Sequence, residues 1–265
     1  AWNWEDAVIR YDQGIHLNWP SPYSRSGYSY YRGPSVIKKS DKYDSSVEEI
    51  KNFFDSSKAY LNEPNPNPVS LPYKAMSPVF LGEATVFLHA NEEKQIKDGV
   101  KFLQDQKIKN IVVVGGTNSL EAADFMSKNN IKIALEQPHN LPSMEDEDVK
   151  SRFRLASQLI NKGVTVAVDP TGAMTRMNTR NLPFFAGSFS AYGVEKEKAV
   201  ETITLNAAKV LGIEDNYGSI EVGKSATLFI SHGDALDMRT NNLSHAYIDG
   251  REVSLETNQT KLWQR

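Results

Sequence analysis

Between residues 85 and 211 the chain repeats one arrangement: a short apolar, β-prone run followed by a helix-forming stretch. The runs are 85–88, 111–114, 131–135 and 164–168. The first is followed by a helix over about 92–106, with Ile96, Val100 and Leu103 on one face. The second leads into a helix through Leu120, Ala123 and Phe125, and the third into one over about 148–162. After the fourth come helices over 182–192 and 196–211. Continuously apolar strands are buried on both faces, and parallel strands need a helical crossover between them. The pattern therefore predicts an α/β fold of parallel βα units, either a doubly wound sheet or part of a (β/α)8 barrel.

The flanks differ in texture. The first forty residues carry Trp2, Trp4, Tyr11, Trp19, Tyr23, Tyr28, Tyr30 and Tyr31 among Ser, Gly and Pro, without a period of 2 or 3.6. This reads as a loop region whose rings tack it onto a neighbouring surface. Residues 43–60 place Val47, Ile50, Phe53 and Phe54 at helical spacing, and the alternating prolines of 63–68 end that helix. Beyond Gly212 the chain turns through Gly218 and Gly223 into strands at 226–230 and 245–248, the second leading into an Asp249-Gly250 turn. The predicted domains are thus 1–212, a partial barrel with an aromatic-rich N-terminal loop region, and 213–265, a small β segment.

With 265 residues, 40% hydrophobic and 24% charged, the chain can bury a proper core. A net charge of −3 supplies no field for a polyphosphate backbone or an anionic lipid surface, so neither nucleic acid nor a membrane surface is an expected partner. No apolar stretch reaches the length of a membrane span. The absence of cysteine restricts any metal site to imidazole and carboxylate ligands.

Ligands of parallel βα arrays gather at the carboxyl ends of the strands. The polar residues following the four runs are His89 and Asn91, then Gly115, Gly116, Thr117 and Asn118, then Glu136 through Asn140 with His139, and finally Asp169. Imidazole plus carboxylate suits a zinc-like cation and acid/base chemistry alike. His16, His232 and His245 lie outside these groups and read as structural or surface residues. The Gly115-Gly116 pair lacks the spacing of a phosphate-binding loop and reads as a tight turn, with a nucleotide-binding domain as the minor alternative. The acidic run Glu145 to Asp148 precedes a helix and reads as its solvated N-terminal cap.

The C-terminal third resembles the closing signature of the amidohydrolase superfamily: Thr204-Leu205-Asn206-Ala207-Ala208-Lys209-Val210-Leu211-Gly212, then Gly218-Ser219-Ile220-Glu221-Val222-Gly223-Lys224-Ser225-Ala226-Thr227-Leu228. Asp249-Gly250-Arg251-Glu252-Val253 resembles the strand-turn-strand that ends such chains. Leu88-His89-Ala90-Asn91, His139-Asn140-Leu141-Pro142-Ser143, Arg180-Asn181-Leu182-Pro183-Phe184 and the stretch 233–240 resemble the imidazolonepropionase-like branch, and more closely a group of Bacteroidetes amidohydrolase-related proteins.

The resemblance implies the C-terminal part of a (β/α)8 TIM-like barrel, about strands four to eight, followed by a β-sandwich segment. It implies a divalent metal, zinc foremost, and a metal-activated water that hydrolyses a C–N bond of a cyclic amide or related small molecule. His89 matches the strand-five histidine and Asp169 the strand-eight aspartate, which would serve as metal ligands and in catalysis. His139, Asn91 and Asn118 are then the expected substrate contacts. Two departures stand against this: no H-x-H pair occurs, and Gly115-Gly116 occupies the place of the strand-six histidine. A complete barrel takes roughly 250 residues. The expected partner is therefore an N-terminal half of the same fold, with a homo-oligomer or larger complex also open. The alternative is a metal-free relative that binds a partner as an accessory subunit. The Bacteroidetes resemblance favours export to the periplasm or outer envelope.

Overall fold

The computed structural model describes residues 3, 5, 7–26, 36–141, 147–170 and 175–264. Trp2, Trp4, Tyr28, Tyr30 and Tyr31 of the aromatic segment, Pro142 and Ser143, Glu145 and Asp146 of the acidic run, and Thr171 lie outside them. The chain divides into two compact units, Ala1–Ile131 and Lys132–Arg265. Five of its strands pair in parallel, and helices alternate with them, as the sequence pattern predicts.

In the first unit β1 (Gly14–Asn18), β4 (Thr85–Glu92) and β5 (Ile111–Asn118) lie side by side in that order. A separate hairpin joins β2 (Tyr23–Ser26) to β3 (Val36–Lys39). The helices are α1 (Tyr43–Leu61), α2 (Leu71–Lys74), α3 (Ser77–Leu81), α4 (Glu93–Asp105) and α5 (Ala123–Lys128). Ile96, Val100 and Leu103 of α4 are fully buried, so the predicted face is the one that packs. Phe54 of α1 makes edge contacts with Phe80 and Phe102, at centroid separations of 6.1 and 5.1 Å. Offset and edge geometries of this kind add to the burial of aromatic area.

The composition of the first forty residues hides β1. Ile15 and Leu17 alternate with His16 and Asn18 over five residues only, too short a run to register beside the surrounding Gly, Pro and aromatic content. What makes the strand is non-local: Gly14 to Asn18 pair one to one with Thr85 to His89. Trp19 is tacked down as expected. It is 4% exposed, packs its ring tilted against Phe102 at 5.5 Å, and donates from Nε1 to the Tyr43 hydroxyl at 3.1 Å. That hydroxyl in turn donates to Asp98 at 2.6 Å.

The second unit holds β6 (Lys132–Glu136) paired in parallel with β7 (Val166–Asp169). Its helices are α6 (Ser151–Asn161), α7 (Leu182–Ala191), α8 (Lys196–Ile203) and α9 (Leu205–Leu211). Ile133, Leu135, Leu159, Ala186 and Phe189 form its core. The single helix predicted over 196–211 is broken at Thr204, whose backbone leaves the helical region (φ −125°, ψ −94°) and whose hydroxyl bonds the Val200 carbonyl. Asn206 then reaches from α9 to the Val166 carbonyl of β7, a buried anchor at 3.0 Å. The chain closes with an antiparallel sheet of β8 (Leu228–Ser231), β9 (Leu243–Ile248) and β10 (Arg251–Glu252), and a short helix α10 (Asn258–Trp263). Among the described residues no helix is long and apolar enough to cross a membrane.

Candidate active site

In the first unit the polar residues after the first two apolar runs belong to the strands themselves. β4 continues pairing with β5 past Leu88, so His89 faces Val114 and Ala90 faces Gly115 before the register shifts to Glu92 opposite Asn118. His89 also lies opposite Asn18. Its neighbour on that face is a residue the sequence reading left aside: Nδ1 of His16 lies 2.8 Å from Nε2 of His89, one ring donating to the other. The His16 ring stacks on Phe87 at 5.0 Å, which fixes its orientation.

The two asparagines of this edge hold backbone and side chain in place. Asn118 donates to Glu92 at 3.1 Å, and Asn91 Oδ1 accepts from the Thr117 amide at 3.4 Å. Asn91 can approach so closely because Gly115 has no side chain: a methyl there would stand 2.6 Å from Asn91 Oδ1. Gly115 (φ 98°) and Gly116 (φ 64°) take left-handed conformations that a histidine would adopt only under strain. They lie inside β5, and the Gly116 carbonyl accepts from the Ser119 amide at the start of the helical turn Leu120–Ala122, as in a tight turn.

In the second unit two carboxylates stand opposite each other in register, Glu136 ending β6 and Asp169 ending β7. Burial is the chief cause that raises the Glu136 pKa; the Asp169 charge adds to it, while Arg152 and Asn140 oppose it. Arg152, from the first turn of α6, lies 3.8 Å from Glu136 and 3.3 Å from Glu147. Asn140 donates to Glu136 at 2.6 Å and accepts from Gln137 at 3.0 Å. The Gln137 amide donates to the Asp169 carbonyl at 3.0 Å, tying the end of β6 to the end of β7. His139 leaves this cluster: its Nε2 lies 2.7 Å from Ser188 Oγ on α7, and its ring sits between Phe153 and Phe185. Burial lowers the His139 pKa, which favours the neutral ring.

The structure thus sets His89, Asn91 and Asn118 at the edge of one unit, with His16, and sets Asp169 and His139 in the other, with Glu136. Imidazoles and carboxylates are the right donor types for zinc. Their number falls short within each unit, because no group of three or more His, Cys, Asp or Glu able to hold a metal ion occurs among the described residues. Sequence position alone points to Glu136, which follows the third apolar run as directly as Asp169 follows the fourth.

Parallel strands with intervening helices, and polar side chains toward their carboxyl ends, define an α/β fold consistent with part of a TIM-like barrel. Residues 86–253 match the amidohydrolase family, and the chain belongs to that family. Among solved structures it is similar in fold to an amidohydrolase from Thermotoga maritima, at TM-score 0.73 and 19% identity over 94% of this chain and 64% of that one. Another amidohydrolase aligns at TM-score 0.54 and 16% identity, over 78% of this chain and 59% of that one. A zinc-bound adenosine deaminase from Xanthomonas campestris aligns at TM-score 0.51 and 16% identity, over 88% of this chain and 63% of that one. The chain therefore spans less than two thirds of the length of these structures. No curated protein matches it.

Proposed function

We propose that the protein is a metal-dependent hydrolase acting on a C–N bond of a cyclic amide or related small molecule, and that it works together with an N-terminal half of the same fold. The observation that carries this reading is the membership of residues 86–253 in the amidohydrolase family, with His89 in the C-terminal half of β4 and Asp169 ending β7. The family resemblance names His89 and Asp169 as side chains that would ligate a divalent cation such as zinc, with further donors from the other half, and the ion would supply a water acidic enough to act as hydroxide near neutral pH. In this chain His16, 2.8 Å from His89, would orient that imidazole, and Asp169 would be the acceptor for the proton of such a water.

Two surfaces support a companion half. β1 has one strand partner among the described residues, and an unpaired strand edge favours pairing. In the C-terminal sheet Phe229 is 45% exposed, as expected for one layer of a sandwich that needs a second. A metal-free accessory subunit is the second reading, favoured by Gly115 and Gly116 at the strand end where the resemblance asks for a histidine. Asp169→Asn in the native assembly separates the two. The enzyme should lose nearly all turnover of a cyclic-amide panel; retained turnover in the variant removes Asp169 from the chemistry, and no turnover by the unmodified assembly refutes the hydrolase.

A further inference from the structure

The segment 233–240 belongs to the family resemblance, yet the hydrolase chemistry leaves it unused. It is a loop closed on itself. The Leu236 amide donates to Asp234 Oδ1 at 3.0 Å, the Asp237 amide to the Asp234 carbonyl at 3.2 Å, and the Thr240 amide to the Asp237 carbonyl at 3.0 Å. A second attachment holds it to α7: buried Leu236 comes so close that a methyl group on Gly187 would overlap the Leu236 carbonyl. A third holds it to α8, where Lys196 Nζ meets Asp234 Oδ2 at 2.7 Å. Asp237, Met238 and Arg239 thereby follow the anchored Leu236 beside α7.

Loop and helix flank an open cleft of about 560 Å³, within the size range of small-molecule sites. Asp169 is not among its lining residues. His139 and Ser188 supply a hydrogen-bonded imidazole and hydroxyl, and Phe184 and Leu236 supply apolar surface. The rim carries two ion pairs, Lys196 with Asp234 and Arg239 with Asp237, the latter at 3.0 Å.

Two cations and two anions give the rim no net sign, so a ligand of single charge is attracted by one member of each pair and repelled by the other. An ammonium has three N–H donors and a guanidinium five, so each cation can bind a second acceptor while keeping its partner. Lys196 and Arg239 have the exposure to do so, at 56% and 85% of their side chains. We propose that this cleft binds a free α-amino acid with an apolar side chain. Its carboxylate meets Arg239 and Lys196, its ammonium meets Asp234 and Asp237, and its side chain lies against Phe184 and Leu236.

Titration calorimetry of the full chain with L-leucine and L-phenylalanine tests this, with N-acetyl-L-leucine and L-leucine amide as analogues lacking one charge each. The expected result is saturable binding of the amino acids, weakened about tenfold or more in each analogue, as for loss of a charged hydrogen bond. Asp234→Asn and Arg239→Gln are each expected to weaken leucine binding by about tenfold. No saturable binding of either amino acid, equal binding of the analogues, or unchanged affinity in both variants overturns the proposal. The analogue comparison uses the unmodified protein, so it decides the matter even where a variant folds poorly.

Discussion

Replacing Gly14 by alanine tests the placement of β1, and with it the pairing of His16 to His89. Gly14 lies opposite Thr85 in the parallel ladder. A methyl group there would overlap the Thr85 carbonyl oxygen and stand 2.7 Å from Phe87 Cε2. The carbonyl belongs to the neighbouring strand, and the Phe87 ring is stacked on His16, so neither swings aside cheaply. Restoring ordinary van der Waals contact requires β1 to withdraw by about 1 Å. Overpacking of this kind costs about 1–3 kcal/mol. At about 2–4 °C per kcal/mol for a chain of this size, the melting temperature should fall by several degrees. Urea unfolding followed by circular dichroism gives the stability, and 15N imidazole spectra report the 2.8 Å contact between His16 and His89. A loss below about 0.3 kcal/mol with unchanged imidazole signals would refute the pairing of β1 with β4, because surface substitutions alone stay within about 0.5 kcal/mol.

Two further predictions concern the second unit. Glu136 has a raised pKa, so its protonated form is favoured on folding and its contribution is lost as pH rises above the usual glutamate value of 4.5. Glu136→Gln, which keeps an acceptor for Asn140, should raise the melting temperature at pH 7, with the gain vanishing near pH 4; a variant less stable at both values contradicts this. His139 has a lowered pKa, so its contribution is present above 6.5 and lost as pH falls below it. His139→Asn should flatten the stability profile between about pH 6.5 and 5. An unchanged slope in thermal melts would show that His139 is not held neutral.

The sequence discloses the parts of the fold that rest on local pattern. The face of α4 follows from the spacing of Ile96, Val100 and Leu103, and the strands β4 to β7 from their apolar runs. It discloses less where pairing decides. β1 is a strand because β4 accepts it, and His16 becomes a neighbour of His89 only through that register. Glu136 likewise gains its meaning from standing opposite Asp169, a relation between residues far apart in the chain. The polar residues expected in loops after the first two runs lie within strands, since backbone pairing continues past the last apolar side chain. His139 shows the converse. Its position after a strand is evident from sequence, but its side chain turns to Ser188 and away from the carboxylates.

The central proposal is a metal site completed by donors beyond either unit. Elemental mass spectrometry of the protein purified natively, with whatever segment accompanies it, tests that directly. The account predicts about one equivalent of zinc, manganese or iron per chain, lost in parallel when His89 or Asp169 is replaced. A folded sample never exposed to chelator that carries no transition metal, and takes up none on dialysis against zinc, would contradict it.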